Sequence, residues 1–550
     1  MMRTGGRLIV EALEANGVER IFCVPGESYL AVLDALHDSA IKTIVCRQEG
    51  GAAMMADCEG RLTGKPGICF VTRGPGATNA SAGIHIAMQD SIPMLLFIGQ
   101  IAGHAREREA FQEVDYKRFF GDIAKWVVEI DRAERIPELV TRAFAVATSG
   151  RPGPVVISLP EDMLTSEAEA PAALPATPVE TSPGEVEMRR LAELLTNAKN
   201  PIAILGGTHW SEQAKSHFEK AAEAWALPVG CSFRRQMLFD NLHPCYAGDV
   251  GIGPNPALAK AVKNADVVLL IGGRFSEMPS SDYTLLESPY PKQTLVHVHA
   301  DANELGRVYR PTIAINATPS AFAAAFARTT PKAQPAWEDE TERLHKAYLD
   351  WSTPPESGPG AVHMGPIMSY LETVLPDDAI MTNGAGNYAT WLHRFHRFRR
   401  YATQGAPTSG SMGYGTPAAV AAKALFPKRD VICFAGDGCF MMNGQEFATA
   451  VQYDLPIIVL LVNNGIYGTI RMHQEREYPG RVSGTDLRNP DFADLARAYG
   501  GHGETVEKTA DFAPAFERAR ASGKPAIIEI RLDPEAITPT RTLSDIRDRR

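Results

Sequence analysis

Two short polar turns in the last quarter of the chain carry residue types that suit a metal and phosphate site. GDG (436–438) follows the apolar run VICFA, and NNG (463–465) follows the apolar run PIIVLLV. Asp437 and Asn464 are 27 residues apart, about one strand–helix–strand crossover. Because adjacent parallel strands end at the same edge of a sheet, we expect these two side chains to lie close together.

The residue types in these turns favour Mg²⁺ and a diphosphate as ligands. A carboxylate, a carboxamide oxygen and a backbone carbonyl form an incomplete all-oxygen set, and Mg²⁺ usually completes such a set with phosphate oxygens and water. The glycines let the backbone approach a phosphate, and the helix that starts near Gly438 offers free N–H groups. Gly-Asp-Gly alone is also typical of a simple turn, so the prediction depends on the pair of turns.

This pair of turns resembles the thiamine-diphosphate-binding motif of the thiamine-diphosphate-dependent enzymes. The resemblance implies that Mg²⁺ binds Asp437, Asn464 and the backbone carbonyl of Ile466. It also implies cofactor contacts from both ends of the chain. The cofactor-binding residues implied in this way are Pro25, Gly26, Glu49, Gly74, Met412, Gly436, Asp437, Gly438, Asn464 and Tyr467.

Glu49 lies between a strand-like run and a helical stretch, in CRQEGGAAMMADC. As an isolated residue it would be read as a carboxylate favoured by the helix dipole. In the family, a glutamate at this place bonds a pyrimidine nitrogen of the cofactor and so promotes loss of the thiazolium proton, which requires a carboxyl group shielded from water. The resemblance therefore implies that Glu49 activates the cofactor. It also implies that Met412, in GSMGYG, packs between the two cofactor rings.

Within the family, the resemblance is to the acetolactate synthase (acetohydroxyacid synthase) large-subunit group and covers nearly the whole chain. It rests on VTRGPGATNA, DSIPMLLFIGQ, AFQEVDYKRFFGDIAKW, GRPGPVVISLPEDM and GDGCFMMNGQEFAT. It implies that Phe111, Gln112 and Lys125 lie near the substrate or its access channel. Gln112 is also a candidate donor to a developing enolate or alkoxide oxygen.

Two segments depart from the synthase pattern at candidate catalytic positions. Glu27, in VPGES, places an acid where simple 2-oxo acid decarboxylases carry a catalytic aspartate. Those decarboxylases also use a His-His pair and a glutamate where this chain has Ile470. His473 replaces a tryptophan that selects the second substrate, and a proton donor and a polar pocket wall are both open interpretations. We treat Gln112, Glu27 and His473 as candidates for proton transfer and substrate orientation.

The middle of the chain also departs from the flavin-containing synthases. AGDVGIGPNPAL replaces their flavin-contacting segment, and GGRFSEMPSS keeps Arg274 without the acidic pair that follows it. These departures argue against bound FAD, and FAD, an adenine nucleotide or no ligand are the alternatives for the central domain. Acetolactate formation does not depend on FAD, because flavin performs no redox step in that reaction.

The elements that must position these residues form three α/β blocks. Apolar strand-like runs such as RIFCVPG, PIAILGG and VICFAGDG alternate with helical stretches, which predicts open, mainly parallel sheets covered on both faces. We predict an N-terminal pyrimidine-binding domain at 1–165, a central Rossmann-like domain at 186–335 and a diphosphate-binding domain at 363–550. Polar segments at 166–185 and 336–362 are the predicted linkers.

Composition excludes several other classes of protein. The formal charge of −10 does not favour nucleic acid or an anionic membrane as a partner, and the apolar runs are too short to span a bilayer. Eight separate cysteines without a C-x-x-C pair predict reduced thiols and a cytoplasmic protein. Because family members build their sites across a subunit interface, the resemblance implies a homodimer or homotetramer.

The function predicted from the sequence is decarboxylation of a pyruvate-like 2-oxo acid followed by carboligation to a second carbonyl, with thiamine diphosphate and Mg²⁺. A 2-oxo acid decarboxylase or a 2-hydroxy ketone or 2-hydroxyacyl lyase of the same superfamily is the alternative. A non-catalytic cofactor-binding subunit is the third hypothesis, and the presence of Glu49 with the complete metal set argues against it.

Overall fold

Three six-stranded parallel sheets follow one another along the chain, which confirms the predicted fold class. The computed structural model describes residues 2–549. Within that range, none of the helices is long and apolar enough to cross a membrane. The eight cysteines are buried free thiols.

The N-terminal sheet has the strand order β3-β2-β4-β5-β7-β6, and a short antiparallel pair, β1 with β8, lies beside it. The strands are β1 (Arg3–Thr4), β2 (Arg20–Cys23), β3 (Lys42–Val45), β4 (Gly67–Val71), β5 (Met94–Gln100), β6 (Trp126–Glu129), β7 (Pro154–Pro160) and β8 (Glu167–Ala168). The helices are α1 (Gly5–Ala15), α2 (Leu30–His37), α3 (Glu49–Thr63), α4 (Pro75–Asp90), α5 (Tyr116–Phe120), α6 (Ile136–Thr148) and α7 (Glu161–Thr165).

The central sheet has the strand order β11-β10-β9-β12-β13-β14. Its strands are β9 (Pro201–Leu205), β10 (Val229–Cys231), β11 (Tyr246–Asp249), β12 (Val267–Ile271), β13 (Thr294–His299) and β14 (Ile313–Asn316). The helices of this region are α8 (Glu185–Thr196), α9 (Glu212–Ala224), α10 (Pro256–Asn264), α11 (Pro319–Phe326) and α12 (Glu338–Trp351).

The C-terminal sheet has the strand order β16-β15-β17-β18-β20-β19. Its strands are β15 (Ile380–Asn383), β16 (Gln404–Gly405), β17 (Val431–Gly436), β18 (Ile458–Asn463), β19 (His502–Val506) and β20 (Ala526–Arg531). Its helices are α13 (Met364–Val374), α14 (Ala389–Phe395), α15 (Gly415–Leu425), α16 (Asp437–Asn443), α17 (Phe447–Gln452), α18 (Gly468–Glu477), α19 (Phe492–Ala498), α20 (Phe512–Ala521) and α21 (Leu543–Arg547).

The central strands of each sheet are buried on both faces, because helices cover both sides of a parallel sheet. Every residue of β5, β7, β12 and β17 is buried. The N- and C-terminal domains also share a hydrophobic core, in which α3 packs against α15. This packing joins α3 to the C-terminal domain.

The segment 336–362, predicted as a linker, contains helix α12. Trp337 donates from its indole nitrogen to the Trp225 carbonyl at 3.1 Å, and the ring of Tyr348 packs edge-on to Tyr246 with centroids 4.7 Å apart. The helix was missed in the sequence because the outer face of α12 is polar, so the segment resembles a linker. We therefore assign α12 to the central domain.

Candidate functional site

The two polar turns of the C-terminal domain meet at one sheet edge. Strands β17 and β18 are neighbours, with Gly436 in register with Val462, so the turns that follow them are adjacent. A cavity of about 230 Å³ opens there. We call its lining the C-terminal half-site. Seven residues predicted from the sequence belong to it: Met412, Gly436, Asp437, Gly438, Asn464, Ile466 and Tyr467.

Asp437 is held in place by neutral donors. Its side chain accepts hydrogen bonds from the Gly438 N–H at 2.8 Å, the Gly465 N–H at 2.9 Å and the Asn489 amide at 2.8 Å. Burial raises the pKa of the Asp437 carboxyl above its usual value, while these donors lower it. A cation beside the carboxylate would offset the cost of burying its charge.

The donor set of the C-terminal half-site therefore fits a hard divalent cation. Asp437 supplies a buried carboxylate, Asn464 a carboxamide on the same cavity wall, and Ile466 a backbone carbonyl. Among the described residues, the side-chain oxygen of Asn464 accepts one long hydrogen bond, from the Ile466 N–H at 3.4 Å, so it retains capacity for a ligand.

The glycines of the first turn allow two tyrosine rings to pack closely on the backbone. A Cβ atom at Gly438 would lie 2.5 Å from Cε1 of Tyr467, and one at Gly436 would lie 2.7 Å from Cδ1 of Tyr388. The sequence explained these glycines by close approach of a phosphate. In the structure, ring packing is a sufficient reason for both.

Several cavity residues were not predicted from the sequence. Asn387 accepts a hydrogen bond from the Thr469 hydroxyl at 2.9 Å, and its own N–H donates to the same hydroxyl at 3.1 Å. These contacts join the loop after β15 to the first turn of α18. The other unpredicted lining residues are Ala385, Gly386, Tyr388, Trp391, Gly410, Cys439, Val462, Gly468, Ile470, Leu532, Ala536 and Ile537.

The C-terminal segment closes one side of this cavity. Ile537 lines it and packs with Leu543 and Ile546 of α21 against Ile466 and Met472. Arg547 forms an ion pair with the buried carboxylate of Glu475 at 3.1 Å. The segment is therefore fixed against α18 up to the last described residues.

Glu49 begins α3 at the carboxyl end of β3. Its Oε2 accepts a hydrogen bond from the amide of Asn79 at 3.0 Å, and its Oε1 lies 3.3 Å from where a Cβ at Gly76 would be. Asn79 and Gly76 are both on α4, in the ATN and PGA parts of VTRGPGATNA. The glycine leaves space beside the carboxylate, and the asparagine orients it.

The other N-terminal candidates lie around Arg73 and Gly74. Arg73 pairs with Glu27 at 3.7 Å and donates to the Phe111 carbonyl at 3.3 Å. Gly74 has a φ of 60°, which favours glycine, and a Cβ there would lie 2.7 Å from Cβ of Gln112. We call Glu27, Glu49, Gly74, Phe111 and Gln112 the N-terminal half-site.

Pro25 and Gly26 lie at the same edge, after β2. Pro25 is exposed, and a Cβ at Gly26 would lie 2.4 Å from Cβ of Thr72, so the turn needs glycine at that position. Thr72 in turn bonds the Ser28 hydroxyl at 2.8 Å, which joins the turns after β2 and β4.

Two predicted substrate residues lie apart from both half-sites. The Lys125 ammonium donates to the Val146 carbonyl at 2.6 Å and to the Ser149 carbonyl, at the amino end of β6, whereas the N-terminal half-site lies at carboxyl ends. Burial lowers the pKa of Lys125 to about 8. His473 is exposed on α18 and accepts from Arg476, and it is not among the residues that line the cavity.

Among the described residues, those of the N-terminal half-site do not contribute to the lining of this cavity. All residues lining the cavity fall between 385 and 537, so none belongs to the N-terminal half-site. Large apolar side chains are exposed near both half-sites. Phe111 is 73% exposed beside Gln112, and Met441, Met442 and Ile470 are 52%, 47% and 54% exposed near the cavity.

In the central domain, two loops meet at the carboxyl ends of β9 and β12. A Cβ at Gly207 would lie 1.8 Å from the Gly272 carbonyl oxygen, so the loops are in direct contact. Arg274 donates to the Gln89 carbonyl in the N-terminal domain. The two loops therefore touch at Gly207 and Gly272, and the loop after β12 also contacts the N-terminal domain.

Comparison with known proteins gives the family. Three domain families match, described as the N-terminal TPP binding domain, the central domain and the C-terminal TPP binding domain of thiamine pyrophosphate enzymes, over residues 3–119, 188–326 and 384–530. The chain is 30% identical over 534 residues to the acetolactate synthase isozyme 2 large subunit of Escherichia coli, covering 96% of this chain and 95% of that protein.

Two further relatives carry similar names. A probable acetolactate synthase large subunit of Methanocaldococcus jannaschii is 32% identical over 555 residues, covering 97% of this chain and 93% of that protein. The acetolactate synthase large subunit of Corynebacterium glutamicum is 30% identical over 550 residues, covering 96% and 86%. The chain therefore belongs to the thiamine pyrophosphate enzyme family, whose members form or break carbon–carbon bonds with thiamine diphosphate, and it is similar to the acetolactate synthase large subunits, as the sequence predicted.

Proposed function

We propose that this enzyme decarboxylates a pyruvate-like 2-oxo acid and joins the remaining acyl carbon to a second carbonyl, as the names of its relatives suggest. The observation that carries the proposal is the cavity at the ends of β17 and β18, where Asp437, Asn464 and Ile466 face one space. An all-oxygen set of this kind supports Mg²⁺ and a diphosphate as its ligands.

Each residue of the C-terminal half-site has a binding role in this proposal. Asp437, Asn464 and the Ile466 carbonyl would hold Mg²⁺, and nearby backbone N–H groups would bind the diphosphate. Met412 provides an apolar contact for the cofactor rings. When bound, thiamine diphosphate supplies a carbon nucleophile and takes up the electron pair released with CO₂.

The Glu49 carboxylate would hold or release a proton at the pyrimidine ring of a bound cofactor. The hydrogen bond from Asn79 keeps one carboxylate oxygen occupied, so the other remains for the cofactor. Gln112 orients the substrate and donates to the oxygen that gains negative charge. Glu27, paired with Arg73, is a second proton donor or acceptor on the same edge.

The two remaining candidates have indirect roles. Lys125 is engaged by backbone carbonyls, so in our proposal it stabilises the amino end of β6 and does not contact substrate. His473 reaches substrate only if α18 faces a second chain. We assign no step to flavin.

We propose a homodimer as the smallest active unit. A homotetramer would consist of two such dimers. The N-terminal half-site lies outside the cavity of its own chain, and exposed apolar residues surround both half-sites. A second copy would bring Glu49 of one chain to the cavity of the other and cover these residues.

The test is product analysis with purified protein, thiamine diphosphate, Mg²⁺ and pyruvate. We expect CO₂ and acetolactate. Acetaldehyde alone would identify a decarboxylase, and activity only on 2-hydroxy ketones or 2-hydroxyacyl substrates would identify a lyase. Glu49→Gln should abolish turnover and leave Mg²⁺-dependent cofactor binding intact. Undiminished turnover in this variant would refute the role of Glu49.

A further inference from the structure

Glu446 is a buried carboxylate with no role in the mechanism above. It ends a single 3₁₀ turn, Gly444–Glu446, just before α17, and it is 0% exposed. Its carboxylate reaches across the domain boundary to the turn between β3 and α3. It accepts the Arg47 N–H at 3.1 and 3.2 Å and the Gln48 N–H at 2.9 Å.

These two N–H groups belong to the residues immediately before Glu49. The Thr449 hydroxyl donates to the other side of the carboxylate at 2.6 Å, which fixes its orientation. A Cβ atom at Gly51 would lie 2.5 Å from Oε1 of Glu446, so the first turn of α3 packs directly on the carboxylate. Within the described chain, Glu446 therefore holds the start of α3 on both sides of Glu49.

The position of Glu49 follows from this contact. Gln48 is the N-cap residue of α3, and the first N–H groups of a helix have no helical partner, so the Glu446 carboxyl satisfies the Gln48 N–H and that of Arg47 just before it. The Gln48 side chain caps the helix by accepting the Gly51 N–H at 3.1 Å. The Glu446 carboxylate and the Gln48 side chain together fix the backbone at the start of α3. Because Glu49 is the first residue of this helix, they also fix the position of its side chain.

We propose that Glu446 is a positioning residue for Glu49, an inference that rests on the role proposed for Glu49. The C-terminal domain of each chain thereby orients the activating glutamate that the same chain presents. In a homodimer, the C-terminal domain that binds one cofactor would therefore orient the Glu49 side chain that contacts the second cofactor, in the partner chain.

The test variant is Glu446→Gln, which keeps the size of the side chain but places an amide group against backbone N–H donors. The matched control is Gln452→Ala, which removes a contact to the Arg47 guanidinium at 2.6 Å and leaves both N–H groups bonded. Gly51→Ala is a second variant, because its methyl group displaces the Glu446 carboxylate.

The first measurement is amide hydrogen exchange over residues 45–49 in the cofactor-free protein. Glu446→Gln and Gly51→Ala should each raise exchange at Arg47 and Gln48 by about tenfold or more, whereas Gln452→Ala should not. Unchanged protection in both test variants would overturn the inference, whatever the enzyme's substrate.

The second measurement is the exchange rate of the thiazolium proton of bound thiamine diphosphate in deuterated solvent, which needs no substrate. We expect about a tenfold or greater loss in Glu446→Gln with the cofactor Kd unchanged, and no further loss in Glu49→Gln/Glu446→Gln beyond Glu49→Gln. Wild-type exchange in Glu446→Gln would overturn the inference. Wild-type exchange in Glu49→Gln would instead refute the proposed role of Glu49.

Discussion

Replacing Asp90 by asparagine should loosen the loop that carries Met412, although Asp90 does not itself line the cavity. Asp90 ends α4 and is buried between the N- and C-terminal domains. It accepts the Thr408 N–H at 2.6 Å, the Ser409 N–H at 2.8 Å and the Arg61 guanidinium at 2.6 Å. It therefore ties one end of the 407–414 loop to the N-terminal domain.

The other end of this loop is tied to the same cluster. The Tyr414 hydroxyl donates to Asp57 at 2.5 Å, and Asp57 pairs with Arg61 at 2.9 Å. Burial alone would raise the pKa of the Asp90 carboxyl, but Arg61 and the Thr408 N–H outweigh it and lower that pKa. Asp90 is therefore charged at neutral pH, and its stabilising contribution is lost only as the pH falls through its lowered folded-state pKa.

The cost of Asp90→Asn follows from this burial. Removing one partner of a buried ion pair costs about 3–5 kcal/mol, and we take the lower value, about 3 kcal/mol, because Arg61 keeps Asp57 as a partner. Each kcal/mol shifts the Tm of a domain of this size by about 2–4 °C. We expect a Tm roughly 10 °C lower in thermal unfolding, together with weaker thiamine diphosphate binding. Asp34→Asn, an exposed residue of α2, is the matched control. A Tm within about 1 °C of that control would refute the reasoning.

Two further predictions concern single contacts. Asn489→Ala removes a donor to Asp437 and should weaken Mg²⁺-dependent cofactor binding, measured by titration, by about tenfold or more. The control Asn303→Ala, at an exposed residue, should leave this affinity unchanged. Equal affinities in the two variants would show that Asn489 does not orient Asp437. Because burial lowers the folded-state pKa of Lys125 to about 8, below its usual 10.5, the stability of the wild type relative to Lys125→Met should rise between pH 8 and pH 10.5. If the difference in Tm between the wild type and Lys125→Met stayed constant across that pH range, the burial of the Lys125 ammonium would be contradicted.

The interior strands of all three sheets could be predicted from the sequence, but several edge strands could not. β5, β7, β9, β12, β17 and β18 are apolar runs because helices bury both faces. The strands without a clear signal were β6, β11, β14, β16 and β19, and all five lie at sheet edges. β14 alternates buried and exposed residues, and β19 is mostly half-buried, so neither forms a continuous apolar run.

The residues of the candidate site also fall into those that could be predicted from the sequence and those that could not. Asp437 and Asn464 follow apolar strands directly, so the local pattern of two paired turns selected them, whereas Glu49 was selected by the family resemblance. Asn489 and Asn79 were missed because each acts through a partner distant in sequence, which no local spacing reveals. Lys125 was selected by resemblance, but the structure bonds its ammonium to backbone carbonyls.

The most direct test of the shared site is co-expression of Glu49→Gln and Asp437→Ala chains with two different tags. In the proposed arrangement, a dimer that carries both tags would place Glu49 of the Asp437→Ala chain at Asp437 of the Glu49→Gln chain, so one of its two sites would be intact. We expect roughly half of the wild-type rate of acetolactate formation from pyruvate, although each variant alone is inactive. Inactive mixed dimers that still bind thiamine diphosphate would contradict a site built from two chains.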